Sequence, residues 1–182
     1  RPFLGGRATS FPVSDSELVD NCQHVLLRCC TNLLDFYRRA GVLDKIRFFD
    51  RCWFVEPGGR VSTLRPSLAS LLRFPPLGLH DKLAIARGLR AMSREQRRPD
   101  LDSLTLAAWL AAHHQTGRAI ARFWRPIVVS ALNEEPDRAS ALPAFQVFLQ
   151  GFLGPDRGYE MGVPTVPLAE LYSAPFPNVR VH

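Results

Sequence analysis

Apolar residues recur at three- and four-residue spacing from residue 25 to 39, at Leu26, Leu27, Cys30, Leu33, Leu34 and Tyr37. That spacing predicts a helix with one buried face. Arg38 and Arg39 suit the negative end of its dipole, and Gly41 suits its C-cap. The helix would begin in residues 20–24. Ahead of it, residues 12–16 (Pro-Val-Ser-Asp-Ser) read as a loop. Residues 46–55 are rich in aromatic and β-branched side chains, Pro57-Gly58-Gly59 signals a tight turn, and residues 60–64 resume an extended pattern. A β-hairpin over 46–65 follows. After a break at 74–78, helical periodicity returns over 81–92, followed by a polar connection over 94–99. A further helix spans 104–113, capped by Asp102 or Ser103. The next runs from Thr116 to Leu132 and should kink near Trp124, because Pro126 lies inside it. Residues 137–152 form another, bent at Pro143. A short last helix covers 167–172. The pattern predicts an α+β fold, mostly helical, with a small antiparallel β-hairpin among the helices. Internal repeats and low-complexity tracts are absent from the sequence.

Composition narrows the class. The chain has 182 residues, of which 46% are hydrophobic, enough to bury a core. Its formal net charge is +6, carried almost wholly by arginine, since Lys45 and Lys82 are the lysines. The arginines are dispersed, which suits a solvated surface or contact with an anionic membrane face. No nucleic-acid module is recognisable, so no nucleic-acid partner is expected. Cysteines occur at 22, 29, 30 and 52, without a C-x-x-C pair, so no metal site is expected. Buried free thiols in a reducing cytoplasm fit this usage. Arg1 reads as a truncation point without a signal peptide. The longest apolar runs, such as Leu106–Ala112, are far short of the roughly 20 residues that span a bilayer. P-loop, G-x-S-x-G and metal-binding helix motifs are missing.

Three sets of residues carry candidate chemistry. The first is Arg1-Pro2-Phe3-Leu4-Gly5-Gly6-Arg7, of the form R-x-x-x-G-G-R. Adjacent glycines let a backbone approach a bulky anion, and the N–H groups of such a turn make a concave anion site. Arg7 adds a fork of donors suited to phosphate. A plain surface turn is the simpler reading of Gly-Gly-Arg alone. The second set is Asp20-Asn21-Cys22-Gln23-His24, which places four hydrogen-bonding side chains ahead of an apolar helix. Asp20 or Asn21 would serve as an N-cap, and His24 either stays solvated or transfers a proton. The third set, Phe123, Trp124 and Phe152, lines an apolar tunnel or fills an ordinary core. His113 and His114 are adjacent, face differently, and make poor co-ligands.

R-x-x-x-G-G-R followed by Ala8-Thr9-Ser10-Phe11 resembles the second flavin-contacting motif of the FAD-dependent amine oxidase and phytoene desaturase superfamily. The resemblance implies a Rossmann-type FAD-binding domain whose G-x-G-x-x-G fingerprint would lie upstream. The 182 residues contain no such fingerprint. On that reading the chain is an internal piece: residues 1–24 belong to the FAD-binding domain, 25–172 to a largely helical substrate domain, and 173–182 return toward the FAD domain.

Three blocks resemble a narrower family, the squalene-associated FAD-dependent desaturases, whose better-defined members are hydroxysqualene dehydroxylases of hopanoid biosynthesis. They are residues 20–34, residues 123–133 (Phe-Trp-Arg-Pro-Ile-Val-Val-Ser-Ala-Leu-Asn) and residues 158–164 (Gly-Tyr-Glu-Met-Gly-Val-Pro). What this implies is FAD bound through Arg1, Gly5, Gly6, Arg7, Asn21 and Gln23. His24 or Asp20 would protonate an allylic hydroxyl as hydroxysqualene is reduced to squalene. Phe123, Trp124, Val128, Phe148 and Phe152 would line an apolar tunnel. The implied partners are a polyprenyl substrate, a membrane surface reached peripherally from the cytoplasm, and other squalene-pathway enzymes. A related flavin desaturase, an amine oxidase, and a non-catalytic helical module binding lipid or protein are the alternatives. Cys22 and Arg28 stand where the family usually has glycine. Arg28 should therefore either point to solvent or shift its helix.

Overall fold

The computed structural model describes residues 5–15, 17–21, 25–65, 68–154 and 157–173. In chain order its elements begin with β1 (Ser10–Ser14), β2 (Glu17–Asp20), β3 (Leu26–Leu27), α1 (Thr31–Arg39) and β4 (Ile46–Phe49). Next come β5 (Cys52–Val55), β6 (Val61–Leu64), α2 (Leu68–Arg73), α3 (Leu79–Glu95), α4 (Leu106–Ala112) and α5 (Gly117–Ala119). The chain continues with α6 (Arg125–Leu132), α7 (Ala141–Gln146), β7 (Met161–Pro164) and α8 (Leu168–Tyr172). Two π-helical turns, Ile120–Trp124 and Val147–Phe152, continue α5 and α7. The chain divides into two units, one of residues 1–50 with 160–182 and one of residues 51–159.

The first unit holds two antiparallel sheets. β1 and β2 form a hairpin in which Phe11 faces Val19 and Pro12 faces Leu18, with an irregularity between Pro12 and Ser14. Of the loop expected over residues 12–16, residues 12–14 are instead strand, and Asp15 is a turn. Pro12 is tolerated because both strands of a two-stranded ladder are edges. The second sheet has the order β3-β7-β4. At its centre Gly162 faces both Leu26 and Phe48. A Cβ on Gly162 would lie 2.8 Å from Ile46 Cγ2 and 2.9 Å from Phe48 Cε1, so a side chain there would displace the side chains packed over the central strand.

The helix expected over residues 25–39 starts only at Thr31, because Leu26 and Leu27 pair with β7 instead. An apolar pair fits a strand as well as a helix, and the long-range pairing decides. Residues 20–24 therefore do not open α1. Leu34 and Tyr37 of α1 pack with Leu26, Val42, Ile46, Leu168 and Leu171 into this unit's core. Gly41, with φ +69°, ends the helix as its sequence position suggested.

The second unit is mainly helical. Its hairpin is β5–β6, with Gly58 and Gly59 at φ +96° and +83° in the turn. This is the latter part of the hairpin expected over 46–65; residues 46–49 belong to the other unit's sheet. The helix expected over 81–92 runs from Leu79 to Glu95. Its start is held by the Asp81 carboxylate, which accepts the Gly78 N–H at 2.9 Å. Thr105, not Asp102 or Ser103, caps α4 by accepting the Ala108 N–H. Pro126 stands in the first turn of α6, immediately after the π-helical turn that spreads the irregularity expected near Trp124 over five residues. Pro143 sits in the first turn of α7, where a missing N–H costs nothing, so the irregularity falls later, at Val147–Phe152. Trp109, Phe123, Trp124, Phe145 and Phe148 form the centre of the core.

Candidate functional site

The Gly-Gly-Arg turn is built from backbone that a side chain would not tolerate. Gly5 and Gly6 have φ of +89° and +63°. The Ala8 N–H closes the turn on the Gly5 carbonyl at 3.0 Å. A Cβ on Gly5 would sit 2.5 Å from the Ala8 carbonyl oxygen and 3.1 Å from the Tyr172 ring. The turn leads Arg7 outward, exposed, and its guanidinium has no ion pair among the described residues. A free arginine beside left-handed backbone is chemically suited to an anion.

Asn21 ties this turn to the end of β2. Its side-chain amide donates to the Arg7 carbonyl at 3.0 Å, and its backbone N–H donates to the Thr9 carbonyl at 2.9 Å. The sequence singled out Gly5, Gly6, Arg7 and Asn21 separately, and the fold brings them together. Asp20 lies beside them but is committed elsewhere. Its Oδ1 accepts the Ser10 hydroxyl at 2.7 Å and the Leu168 N–H at 3.0 Å, while the Ser10 oxygen accepts the Ala169 N–H at 3.1 Å. Asp20 and Ser10 therefore cap α8, a helix 148 residues further along the chain. Arg1, Cys22, Gln23 and His24 lie outside the described residues.

Arg28 takes neither of the courses expected of it. It is not helical. It follows β3, its N–H bonds the Glu160 carbonyl, and its Nε lies 2.6 Å from Glu160 Oε2. The guanidinium also stacks 3.8 Å above the Phe48 ring. Glu160 itself is buried, with 2% of its side chain exposed. Sequence reasoning passed over it, although the Gly-Tyr-Glu-Met block contained it. A lone glutamate before a strand carries no local sign of burial. Cys29, Cys30 and Cys52 are free thiols. Cys30 is exposed rather than buried, while burial raises the thiol pKa of Cys29, where Cys30 adds to the effect, and of Cys52.

In the second unit Phe123, Trp124, Val128 and Phe148 are shut off from solvent, and Phe152 is partly buried against them. Trp124 and Phe148 meet edge to face at 4.7 Å, and Phe123 meets Phe152 at 5.4 Å. The five side chains thus form one contiguous aromatic and aliphatic cluster. Its polar neighbour is Gln115, which accepts the Trp124 indole N–H at 2.8 Å and donates to the Ala84 carbonyl at 2.8 Å. Gly88 makes room for both, since a Cβ there would be 2.9 Å from the Trp124 ring. Nearby, Asp81 accepts the Thr116 hydroxyl at 2.6 Å, and that bond chiefly holds its carboxyl below the ordinary range. Glu95 is also held low. Burial opposes its ionisation, but bonds from Trp109 and Arg98 and the neighbouring His113 outweigh it. His113 is thereby occupied at 3.1 Å from Glu95, and no cluster that could hold a metal ion occurs among the described residues.

The family model for flavin containing amine oxidoreductase matches residues 1–162. Among curated proteins, the chain is 25% identical over 147 residues to the zeta-carotene desaturase, chloroplastic/chromoplastic, of Zea mays, covering 70% of this chain and 26% of that protein. It is 25% identical over 171 residues to the zeta-carotene desaturase of Synechocystis sp. (strain ATCC 27184 / PCC 6803 / Kazusa), covering 81% and 35%. The chain therefore spans about a quarter to a third of the length of these relatives.

Proposed function

We propose a function from one premise: this chain belongs to the flavin containing amine oxidoreductase family. The family implies a flavin cofactor, typically FAD, and oxidoreductase chemistry. The finer reading is ours. We assign this chain to an FAD-dependent oxidoreductase acting on a long isoprenoid. The observation that carries it is the Gly5-Gly6-Arg7 turn, inside the matched segment, with left-handed backbone and an arginine that has no ion pair among the described residues.

These residues fit the group. A Cβ at Gly5 would collide with the turn itself, and Arg7 presents donors to solvent. Gly5, Gly6 and Arg7 would hold phosphate oxygens of FAD, and Asn21 would fix the turn that presents them. Arg1 and Gln23 complete the set proposed from sequence. Bound flavin supplies hydride transfer; the protein supplies binding, orientation and electrostatics. We assign residues 1–24 to the FAD-binding part, 25–172 to the substrate part and 173–182 to the return toward the former, a functional division that leaves residues 25–50 and 160–172 in one compact unit with the FAD-binding part. The exposed Phe11, Val13, Leu18 and Val19 of the first hairpin support this, because more of an FAD-binding domain would cover them.

For the substrate, the blocks at 20–34, 123–133 and 158–164 favour hydroxysqualene, reduced to squalene with His24 as the proton donor. The relatives named zeta-carotene desaturases favour a second reading, dehydrogenation of a carotenoid. In both, the substrate is a long hydrocarbon. We place its contact at Phe152, the partly buried member of the aromatic cluster; Phe123, Trp124, Val128 and Phe148 form the rigid wall behind it. The test uses a polypeptide that carries this segment together with a G-x-G-x-x-G unit, loaded with FAD. It is assayed on hydroxysqualene and on a carotene. Squalene as product upholds the first reading, a newly desaturated carotene the second. Turnover of neither, with amines oxidised instead, would remove the isoprenoid reading.

A further inference from the structure

Helix α3 buries one face completely and leaves a stripe that the flavin reading does not use. Ala84, Ile85, Gly88 and Met92 face the core. Leu79, Leu83, Arg87, Arg90 and Arg94 are exposed, and at 100° per residue they fall on one side of the helix over about 22 Å. Leu79 is 68% exposed and Leu83 is 51% exposed. The three arginines have no ion pair among the described residues. Asp81, the one carboxylate between Leu79 and Arg94, is turned inward to Thr116 and Gly78. The stripe is therefore apolar at one end, cationic at the other, and without acidic relief.

Beside it lies a cleft of about 400 Å³ lined by His80, Arg87, Ala112, His113 and His114. Charge is uneven along the chain in the same sense. Residues 51–159 carry fifteen arginines and lysines against nine aspartates and glutamates, while the remaining residues carry eight of each. The whole net charge of +6 thus belongs to the unit that presents this stripe.

We propose that the exposed stripe of α3, from Leu79 to Arg94, docks this unit on an anionic lipid bilayer, with the two leucines entering the interface and the arginines on headgroup phosphates. The argument is complementarity of both kinds. Arginines that no carboxylate among the described residues neutralises seek anions, and a cleft edged by Arg87, His80 and His114 admits a phosphate. Two leucines more than half exposed gain nothing on a nucleic-acid backbone but gain burial in the acyl boundary. No described helix is long and apolar enough to cross a membrane, so the contact is peripheral. The proposal stands independently of flavin and substrate, because vesicle binding requires neither.

The test is flotation of the full chain with phosphatidylcholine vesicles and with vesicles also containing phosphatidylglycerol. The chain should float with the second and not the first, and added salt should weaken the association. Arg87→Gln, Arg90→Gln and Arg94→Gln should each weaken it about fivefold, and the triple variant roughly a hundredfold. Leu79→Ser with Leu83→Ser should weaken it about tenfold or more. If the double variant misfolds by circular dichroism, Leu83→Gln alone keeps the test. Arg38→Gln with Arg39→Gln, on α1, should change nothing. Equal flotation of wild type and triple variant would overturn the proposal. So would tight binding to duplex DNA that the leucine variant leaves intact, which would mark a nucleic-acid surface. A dimer that Leu79→Ser with Leu83→Ser dissolves, without vesicle binding, would instead assign the stripe to a second copy of the chain.

Discussion

The first hairpin and the aromatic cluster of the second unit are held by opposite means. Around the Gly-Gly-Arg turn, a few polar bonds join residues far apart in sequence: Asp20 to Leu168, Ser10 to Ala169, Arg28 to Glu160. Around Trp124, packing dominates, and most partners lie within the helices from α3 to the end of the second π-turn. Polar anchoring fixes the position of a backbone and leaves its surface open to a ligand. Close packing stabilises strongly but leaves no open surface where it is complete. The contrast predicts that truncations in the second unit cost most in stability, and that polar substitutions in the first move its turn at smaller cost.

The largest effect should come from Trp124→Ala. It removes a fully buried indole, its rings' edge contacts and the bond that satisfies Gln115. We expect a loss of about 3–5 kcal/mol in urea denaturation. A loss under about 1 kcal/mol would mean that the cluster is loosely packed and the contrast is false.

Arg28→Gly, which restores the family's usual glycine, comes next. In the fold it strips a close cationic partner from buried Glu160 and uncovers Phe48. We expect a loss of about 2–3 kcal/mol by thermal or chemical unfolding. Gain of stability or of flavin occupancy would show that the pair is incidental.

Much of the second unit was legible because its signals are local. The helical periodicity of α3 and the Pro57-Gly58-Gly59 turn follow from spacing and turn residues within a few positions, as does α8 in the first unit. The β3-β7-β4 sheet was not legible, since it joins Leu26–Leu27, Met161–Pro164 and Ile46–Phe49 across long stretches of chain, and no window contains the pairing. The same distance hid the role of Asp20. Its residue type correctly suggests a cap, but the helix it caps is α8 rather than the adjacent one. The bend expected at Pro143 was misplaced, because proline marks where a helix can be irregular, not where the irregularity settles.

Asp20→Ala tests that role directly. It removes the acceptor for the Leu168 N–H and the Ser10 hydroxyl, so about 1–2 kcal/mol should be lost and Asp20→Asn should recover part of it. A proton-transfer role makes a different forecast: stability unchanged and turnover abolished in both variants. Measuring unfolding and, in the flavin-loaded parent, turnover on the same two variants separates the readings.

The smallest effect concerns pH, and it returns to the polar bonds that the second unit does contain. The Thr116 hydroxyl chiefly depresses the Asp81 carboxyl below its ordinary value of 3.8, with the Gly78 N–H and Arg118 acting in the same direction. A carboxyl whose folded pKa lies below its unfolded one binds protons more readily when unfolded. Its contribution is therefore complete above the unfolded value and disappears as pH falls through the folded one. Between pH 5 and acid conditions below 3.8, the melting temperature of the wild type should fall for this reason, with Glu95 adding a share of the same sign. Asp81→Asn keeps an oxygen for Thr116 but has nothing to titrate, so its melting temperature should start lower and decline less steeply. Parallel curves for the two proteins would show that Asp81 is not set low by its partners. The cap of α3 would then rest on the Asp81 bond to Gly78 as a neutral contact, worth about 1 kcal/mol at any pH.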